Sequence, residues 1–449
     1  MAQREADRLY SAPLVLCGED EAIVDGALRV RGGRIVALGR RSDFGARPDC
    51  PETDLRQAVL APGLVNAHAH LEYSCCEGRL KKTSFLRWLP RLIKVHRALS
   101  PTEIATGVAY GIRQIIRCGT TTVGDISTYG LSAEALRLSG LRYVCFLEVI
   151  HMGPPPYESL LRDVEDRLAG FAESSRGRAG LSPHAPYTVA QPLMKALRRR
   201  FHAGRGVPFA VHVAECRSEG RCLRSQTGLL AAMLRRAGFY SSRRGANPLA
   251  TSVLDFLGTD DAENRPRDLL IHGNFLTREE VRVLADGGRS VLVVCPGTRE
   301  FHGVTTPIVR RARRRGLPVA LGTDSLASND AAGRGAAPLD MWAEMRRSMR
   351  MKGDWTARDA FAAATTGGAL AMGLEAEVGR LRKGYRADFI AVDLDSALAR
   401  AAARDPRPET LLGAWLGCKR SPSIRGVWVD GEALRREDRD CPDWERPPK

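Results

Sequence analysis

An α/β fold, a (β/α)8 TIM-like barrel carrying a small β-sandwich built from both chain ends, is what this sequence predicts. Three observations predict it. The middle of the chain alternates short apolar runs with amphipathic stretches of helical length, the pattern of successive strand–helix units. Eight such runs are present, the number that closes a parallel barrel. The two ends read differently, as short alternating strands punctuated by turn residues. The expected boundaries are 1–59 and 376–449 for the two parts of the sandwich and 60–375 for the barrel.

Taken in order, the stretch from about Leu9 to Val59 holds strands at Ala27–Val30 and Arg34–Ala37 around an Arg31-Gly32-Gly33 turn. The apolar run Ala58-Val59-Leu60-Ala61 reads as the first barrel strand, delivering His68 and His70 to its end. Further strands are expected at Thr120–Ile126, Leu141–Val149, Gly180–Pro183, Phe209–Val213, Leu269–Ile271, Val291–Val294 and Pro318–Leu321. Helices are expected over Pro101–Arg117, Leu131–Ser139, Pro192–Arg200 and Arg278–Ala285. The polar segment 217–267 reads as an elaborated loop with its own helix, Gly228–Arg236, placed to cover a site. After Gly379 the strand-and-turn style resumes, with Asp388–Asp393 and Val427–Val429 before a turn at Gly431.

Composition narrows the class. At 449 residues and 44% hydrophobic, the chain can bury a large core. No stretch approaches the roughly 18 apolar residues of a membrane helix, and Met1-Ala2-Gln3-Arg4-Glu5 lacks the apolar core of a secretory signal. Eleven scattered cysteines, none spaced Cys-x-x-Cys, lead to the expectation of a reduced, cytoplasmic protein. The net charge of +16 comes mostly from arginine, in runs such as Arg198-Arg199-Arg200 and Arg310–Arg315. With aromatics at only 6%, these runs are read as solvated ends of barrel helices rather than as a nucleic-acid face.

The chemistry gathers at the strand ends. His68-Ala69-His70 follows the first, and residues two apart in extended chain project to one side. Ser182-Pro183-His184 ends the fourth, His212-Val213-Ala214-Glu215 the fifth, Ile271-His272 the sixth and Gly322-Thr323-Asp324 the eighth. In a closed parallel barrel these ends ring one mouth. Five of the nine histidines fall in this set, which makes the group specific although each member alone is more often structural. His68, His70, His212 and Asp324 offer three nitrogens and one oxygen and leave a coordination position open, as in catalytic metal sites. An ion there would bring the pKa of water to about 7. Asp324 is placed to take a proton from that water, although as a bland alternative it simply caps the next helix. Glu215 is the natural general acid/base, His272 is placed to hydrogen-bond the attacking oxygen or the developing tetrahedral centre, and His184 to contact substrate. Glu72 stands between substrate contact and local ion pairing, while His96, His151, His202 and His302 read as structural.

The motifs Pro62-Gly63-Leu64-Val65-Asn66-Ala67-His68-Ala69-His70, Ser182–Thr188, His212–Glu215, His272-Gly273 and Leu321–Asn329 resemble the metal-dependent amidohydrolase superfamily, in its nucleoside, nucleobase and triazine deaminase branch. The similarity runs from about Gly26 to Gly431, and Val378–Asp388 looks like the segment re-entering the family's sandwich. The resemblance implies one zinc or iron ion per chain, a small-molecule substrate and hydrolytic loss of ammonia from an aromatic ring carbon. A single ion is expected because His184, not a lysine, stands at the fourth strand end. Where many branch members carry His-Asn-Pro-x-Ser-Asn, this chain has Cys295-Pro296-Gly297-Thr298-Arg299-Glu300-Phe301-His302. Together with His70-Leu71-Glu72-Tyr73-Ser74 this looks most like the aminodeoxyfutalosine deaminase-like members, which act on an adenine nucleoside in menaquinone biosynthesis. Deaminases of adenosine, methylthioadenosine and S-adenosylhomocysteine compete for the same reading. The alternative is hydrolysis of another C–N or C–Cl bond of a nucleobase-like or triazine ring. No nucleic-acid or membrane partner is expected, and the resemblance leaves room for a homo-oligomer.

Overall fold

The computed structural model describes residues 7–46, 48–171, 174–241, 248–258, 266–329, 339–351 and 355–436. Strands β1 (Asp7–Leu16), β2 (Ala22–Arg31), β3 (Arg34–Arg40), β4 (Glu52–Asp54) and β5 (Ala58–Pro62) precede the barrel strands. Those are β6 (Leu64–Ala69), β7 (Thr120–Ser127), β8 (Arg142–Val149), β9 (Gly177–Pro183), β10 (Phe209–Val213), β11 (Asp268–His272), β12 (Ser290–Val294) and β13 (Val319–Leu321). After them come β14 (Phe389–Asp393), β15 (Ile424–Val429) and β16 (Glu432–Arg436).

β6 to β13 form one eight-stranded parallel sheet in sequence order. A bridge between Ala69 and Asp324 joins its first and last edges, and the His68 carbonyl accepts the N–H groups of Thr323 and Asp324. Residues of both faces are buried, as expected when helices wrap a parallel sheet. One apolar cluster draws Val65, Ile126, Val144, Phe146, Ala210, Ile271, Val293 and Ala320 from successive strands, together with Met372 and Val378. The helix expected at Pro101–Arg117 forms with those ends, opened by Ser100 and Glu103 satisfying each other's backbone N–H groups.

The second sheet joins both ends of the chain, in the order β16-β15-β14-β5-β1-β2-β3 with β4 beside β1. The run Ala58–Ala61 belongs to this sheet, pairing antiparallel with β14 and parallel with β1, and is not the first barrel strand. The barrel begins one step later, at Leu64. The chain crosses between sheets at Pro62-Gly63 without a loop, and a Cβ on Gly63 would lie 2.1 Å from the Thr121 hydroxyl oxygen. An apolar run spanning two sheets hides such a joint from sequence reading. The sheets are tied by a buried ionic cluster in which Arg142 of β8 reaches Asp388 at 2.8 Å and Asp430 at 2.7 Å.

The arginine runs divide. Arg199, Arg313, Arg314 and Arg315 are exposed, as expected. Arg198 is not: it is 1% exposed and paired with Asp268 at 3.1 Å, with His202 at 3.3 Å from the same carboxylate. A helix face turned toward the sheet can bury a guanidinium only with such a partner. Of the segment 217–267, helices Arg217–Ser225, Gly228–Arg236 and Val253–Leu257 are observed, and 242–247 and 259–265 lie outside the described residues. No helix among the described residues is long and apolar enough to cross a membrane.

Candidate metal centre

Each chemistry-bearing side chain sits at or just beyond the C-terminal end of a barrel strand. His68 is the penultimate residue of β6, and His70 follows its last residue. His212 lies in β10, His272 ends β11, and Asp324 follows β13 by three residues. The backbone turns sharply there: Ala214, His272 and Asp324 have φ of +47°, +68° and +57°. They are three of the six non-glycine residues in that region among those described, a clustering of strain typical of functional sites.

The side chains converge. His68, His70 and His212 bring ring nitrogens within 4.8 Å of one another, as do His68, His272 and Asp324 with their ligand atoms, and His68 is common to both groups. His70 Nε2 lies 3.2 Å from His212 Nε2. His212 Nδ1 faces the His184 carbonyl at 3.2 Å, which assigns the ring proton to Nδ1 and leaves Nε2 a lone pair. Asp324 Oδ1 is 3.7 Å from His68 Nε2 and 3.8 Å from His70 Nε2.

This arrangement fits a divalent ion. Both ring nitrogens of His68 and Nδ1 of His70 are buried without a hydrogen-bond partner, an expensive condition that a bound cation relieves at the ligating atoms. Two nitrogens 3.2 Å apart is the spacing expected of ligands each about 2.0–2.1 Å from one ion. Burial, reinforced by neighbouring imidazoles, pushes His70 and His212 well below the usual histidine range, so both are neutral and ready to ligate. At Asp324 burial favours the neutral acid, but the histidines around it outweigh that and hold the carboxyl ionised. Asp324 Oδ2 accepts hydrogen bonds from Thr298 at 2.8 Å and Ser328 at 3.0 Å, so Oδ1 is the oxygen turned to the histidines.

Glu215 lies beside this cluster, with Oε1 3.4 Å from His272 Nε2. Burial foremost, and then the charges of Asp324 and Glu219, push its carboxyl well above the usual range, so it carries a proton at neutral pH. Burial lowers His272 to about 3 and leaves it neutral. His184 lines the same pocket, as do Glu148 of β8 and an apolar wall from the helix Phe85–Arg97, including Trp88 and Leu92. The Trp88 indole N–H donates to the Ala327 carbonyl and so fixes that wall to the loop after Asp324.

Glu72 does not present a free carboxylate. Its oxygens accept from the Ser127 hydroxyl and from the backbone N–H groups of Thr128, Tyr129 and Leu131, at 2.7–2.9 Å. It organises the loop after β7, and both of its oxygens are engaged in these bonds. Sequence reading missed Glu148, Glu219 and Thr298. Single acids outside a motif give no signal, whereas Thr298 stood in the Cys295–His302 stretch whose departure from pattern marked it. His302 packs against Trp88 and Phe85 and donates from Nδ1 to the Thr83 carbonyl, in keeping with a structural part.

Comparison with known proteins agrees with the geometry. A model of the Amidohydrolase family matches residues 59–434. A 5-methylthioadenosine/S-adenosylhomocysteine deaminase of Nitratidesulfovibrio vulgaris is 28% identical over 409 residues, covering 86% of this chain and 84% of that protein. Helicobacter pylori aminofutalosine deaminase, solved with methylthio-coformycin, superposes with a TM-score of 0.78 at 21% identity, over 95% of this chain and 99% of that one. An adenosine deaminase from Xanthomonas campestris with bound zinc gives 0.75 at 23% identity, over 97% and 95%.

Proposed function

Because the chain belongs to the amidohydrolase family, we propose that it is a hydrolase that removes ammonia from the adenine ring of a nucleoside. The observation that carries the reading is the placement of the buried Glu215 carboxyl, 3.4 Å from His272 and adjoining the His68–His70–His212–Asp324 cluster. Ring deamination needs a proton delivered to a ring nitrogen and a second delivered to the departing amine, and a buried, protonated carboxyl is suited to both. The name of the N. vulgaris relative supports an adenine nucleoside as substrate.

The cluster would hold one ion through His68, His70, His212 and Asp324, and zinc is the proposed metal because three imidazoles and a carboxylate suit it. Bound there, the ion supplies Lewis acidity at neutral pH. The residues do the rest. Asp324 Oδ1 takes a proton from the attacking water, with Oδ2 kept in place by Thr298 and Ser328. Glu215 protonates the ring nitrogen as the water oxygen bonds to the amino-bearing carbon. His272 hydrogen-bonds the attacking oxygen and the tetrahedral centre it forms. Glu215, now the carboxylate, takes the remaining proton of the attacking oxygen and passes it to the amine. The C–N bond breaks, ammonia leaves, the ring carbonyl remains, and the proton held by Asp324 restores Glu215. None of the ten cysteines among the described residues is in a disulfide, which supports a reducing compartment, the cytoplasm.

Ammonia release by metal-analysed protein tests this, against aminodeoxyfutalosine, adenosine, methylthioadenosine, S-adenosylhomocysteine, guanine, cytosine and melamine. Turnover of an adenine nucleoside with about one ion per chain supports the reading. Turnover of only a nucleobase or triazine overturns it.

A further inference from the structure

Glu148 has no part in the chemistry above, yet its carboxyl is buried in the wall of the same pocket. It stands near the end of β8, with its side chain 4% exposed. One oxygen is anchored: Oε2 accepts the Thr128 hydroxyl at 2.8 Å, and the Thr128 backbone N–H is in turn held by Glu72 at 2.9 Å. That anchoring points Oε1 toward His184, whose Nε2 lies 4.0 Å away, beyond hydrogen-bond reach.

The facing nitrogen of His184 is also an acceptor. Its Nδ1 is 2.6 Å from the Thr188 hydroxyl oxygen, and that hydroxyl donates to the Ala185 carbonyl at 3.2 Å. The Thr188 proton is therefore committed, Nδ1 carries the ring proton, and Nε2 offers a lone pair. Two acceptors on adjacent strand ends thus face one space. The residues lining that pocket include no lysine or arginine to occupy them. A buried acceptor deprived of a donor is costly, so a ligand that enters this space with donors is favoured over one without.

The position says which part of a ligand arrives there. His184 packs against His212, ring centroids 5.1 Å apart, so the acceptor pair lies one side chain from the metal cluster, on the β8–β9 side. Glu215 and His272 lie on the β10–β11 side. Glu215 and Glu148 line one pocket from these two sides, so a ligand whose ring meets Glu215 has Glu148 across the same space to receive its substituent. Resting on the nucleoside reading, we propose that Glu148 is the residue that selects the sugar, accepting a ribose hydroxyl at Oε1 while the neighbouring hydroxyl of the diol donates to His184 Nε2.

The test uses the full chain loaded with metal and compares an adenine riboside that it deaminates with the 2′-deoxy, 3′-deoxy and 2′,3′-dideoxy analogues. At pH 8, above the value of about 7 to which burial raises Glu148, the wild type should favour the riboside over the dideoxy compound by about 10- to 100-fold in kcat/KM, the range of a hydrogen bond to a charged group, chiefly through KM. In Glu148→Ala, and in Glu148→Leu should the alanine variant fold poorly, that preference should collapse while metal content stays at the wild-type level. A preference that survives in both variants, or is missing in the wild type, overturns the proposal and leaves the deaminase reading standing. A wild type that holds its ion and ignores every adenine nucleoside overturns both.

Discussion

Oε2 of Glu219 accepts the backbone N–H of Glu215 at 3.0 Å, and its partner oxygen accepts that of Ala214 at 2.7 Å. The Glu219 carboxyl group therefore clasps the turn in which Ala214 adopts φ +47° and from which the Glu215 side chain departs. Removing the clasp in Glu219→Ala should free that turn. We expect kcat to fall by about 10- to 100-fold through misplacement of Glu215, with metal content retained. Wild-type kcat in this variant would show that the turn keeps its shape unaided.

Glu215→Gln removes the transferable proton but keeps the shape. Turnover should fall by at least about 100-fold, within the range ascribed to general acid–base catalysis, while bound metal measured by elemental analysis stays near the wild-type amount. Full activity would refute the assignment of the proton carrier.

His68 belongs to both metal-binding groups. His68→Ala should lose metal and activity together, and a strong chelator should have the same effect on the wild type, reversed by added zinc. Unchanged metal content in the variant would count against the site.

Asp125, Glu148 and Glu219 are buried carboxyls that burial pushes up to about 8, 7 and 8. In the unfolded chain such groups titrate near 4. The folded state thus keeps protons that the unfolded state has released, and stability must fall as pH rises through the interval between them. At saturating metal, Tm should decline from pH 5 to 8.5. Asp125→Asn, which retains an acceptor for the Leu71 N–H, should flatten that decline. A Tm that climbs over the interval in the wild type would contradict the assignment.

Arg142 is 4% exposed and bonded to both Asp388 and Asp430. Arg142→Met takes the guanidinium from the buried Asp388 and one of three from Asp430. The expected loss is about 3–5 kcal/mol, the usual result of breaking a buried ion pair from one side. Chemical denaturation reads it directly, and a loss below 1 kcal/mol would mean that Arg176 and Arg386, which also reach Asp430, carry the cluster.

The barrel, the sandwich sheet from both ends and the strand-end histidines were legible because each rests on local pattern: alternation, helical period and position relative to an apolar run. Pro101–Arg117 was readable to its ends because its capping residues are adjacent in sequence. What escaped depends on partners far along the chain. Glu72 binds a loop more than fifty residues away, Arg198 is buried only because Asp268 waits for it, and Ala58–Pro62 is claimed by β14. The Pro62-Gly63 joint looked like a strand end and is instead the seam between two sheets.

That seam has a consequence for the order in which the molecule is made. In the register of β5 with β14, Pro62 pairs with Phe389, so the N-terminal strands emerge from the ribosome long before their neighbour exists. At about 5–20 residues per second, the interval lasts tens of seconds. Throughout it, the Ala58–Pro62 edge stands open with apolar side chains and unpaired backbone groups, the kind of edge that recruits stray strands. The nascent chain is therefore most vulnerable to aggregation while the barrel is being completed, and the arrival of Phe389–Asp393 closes that window.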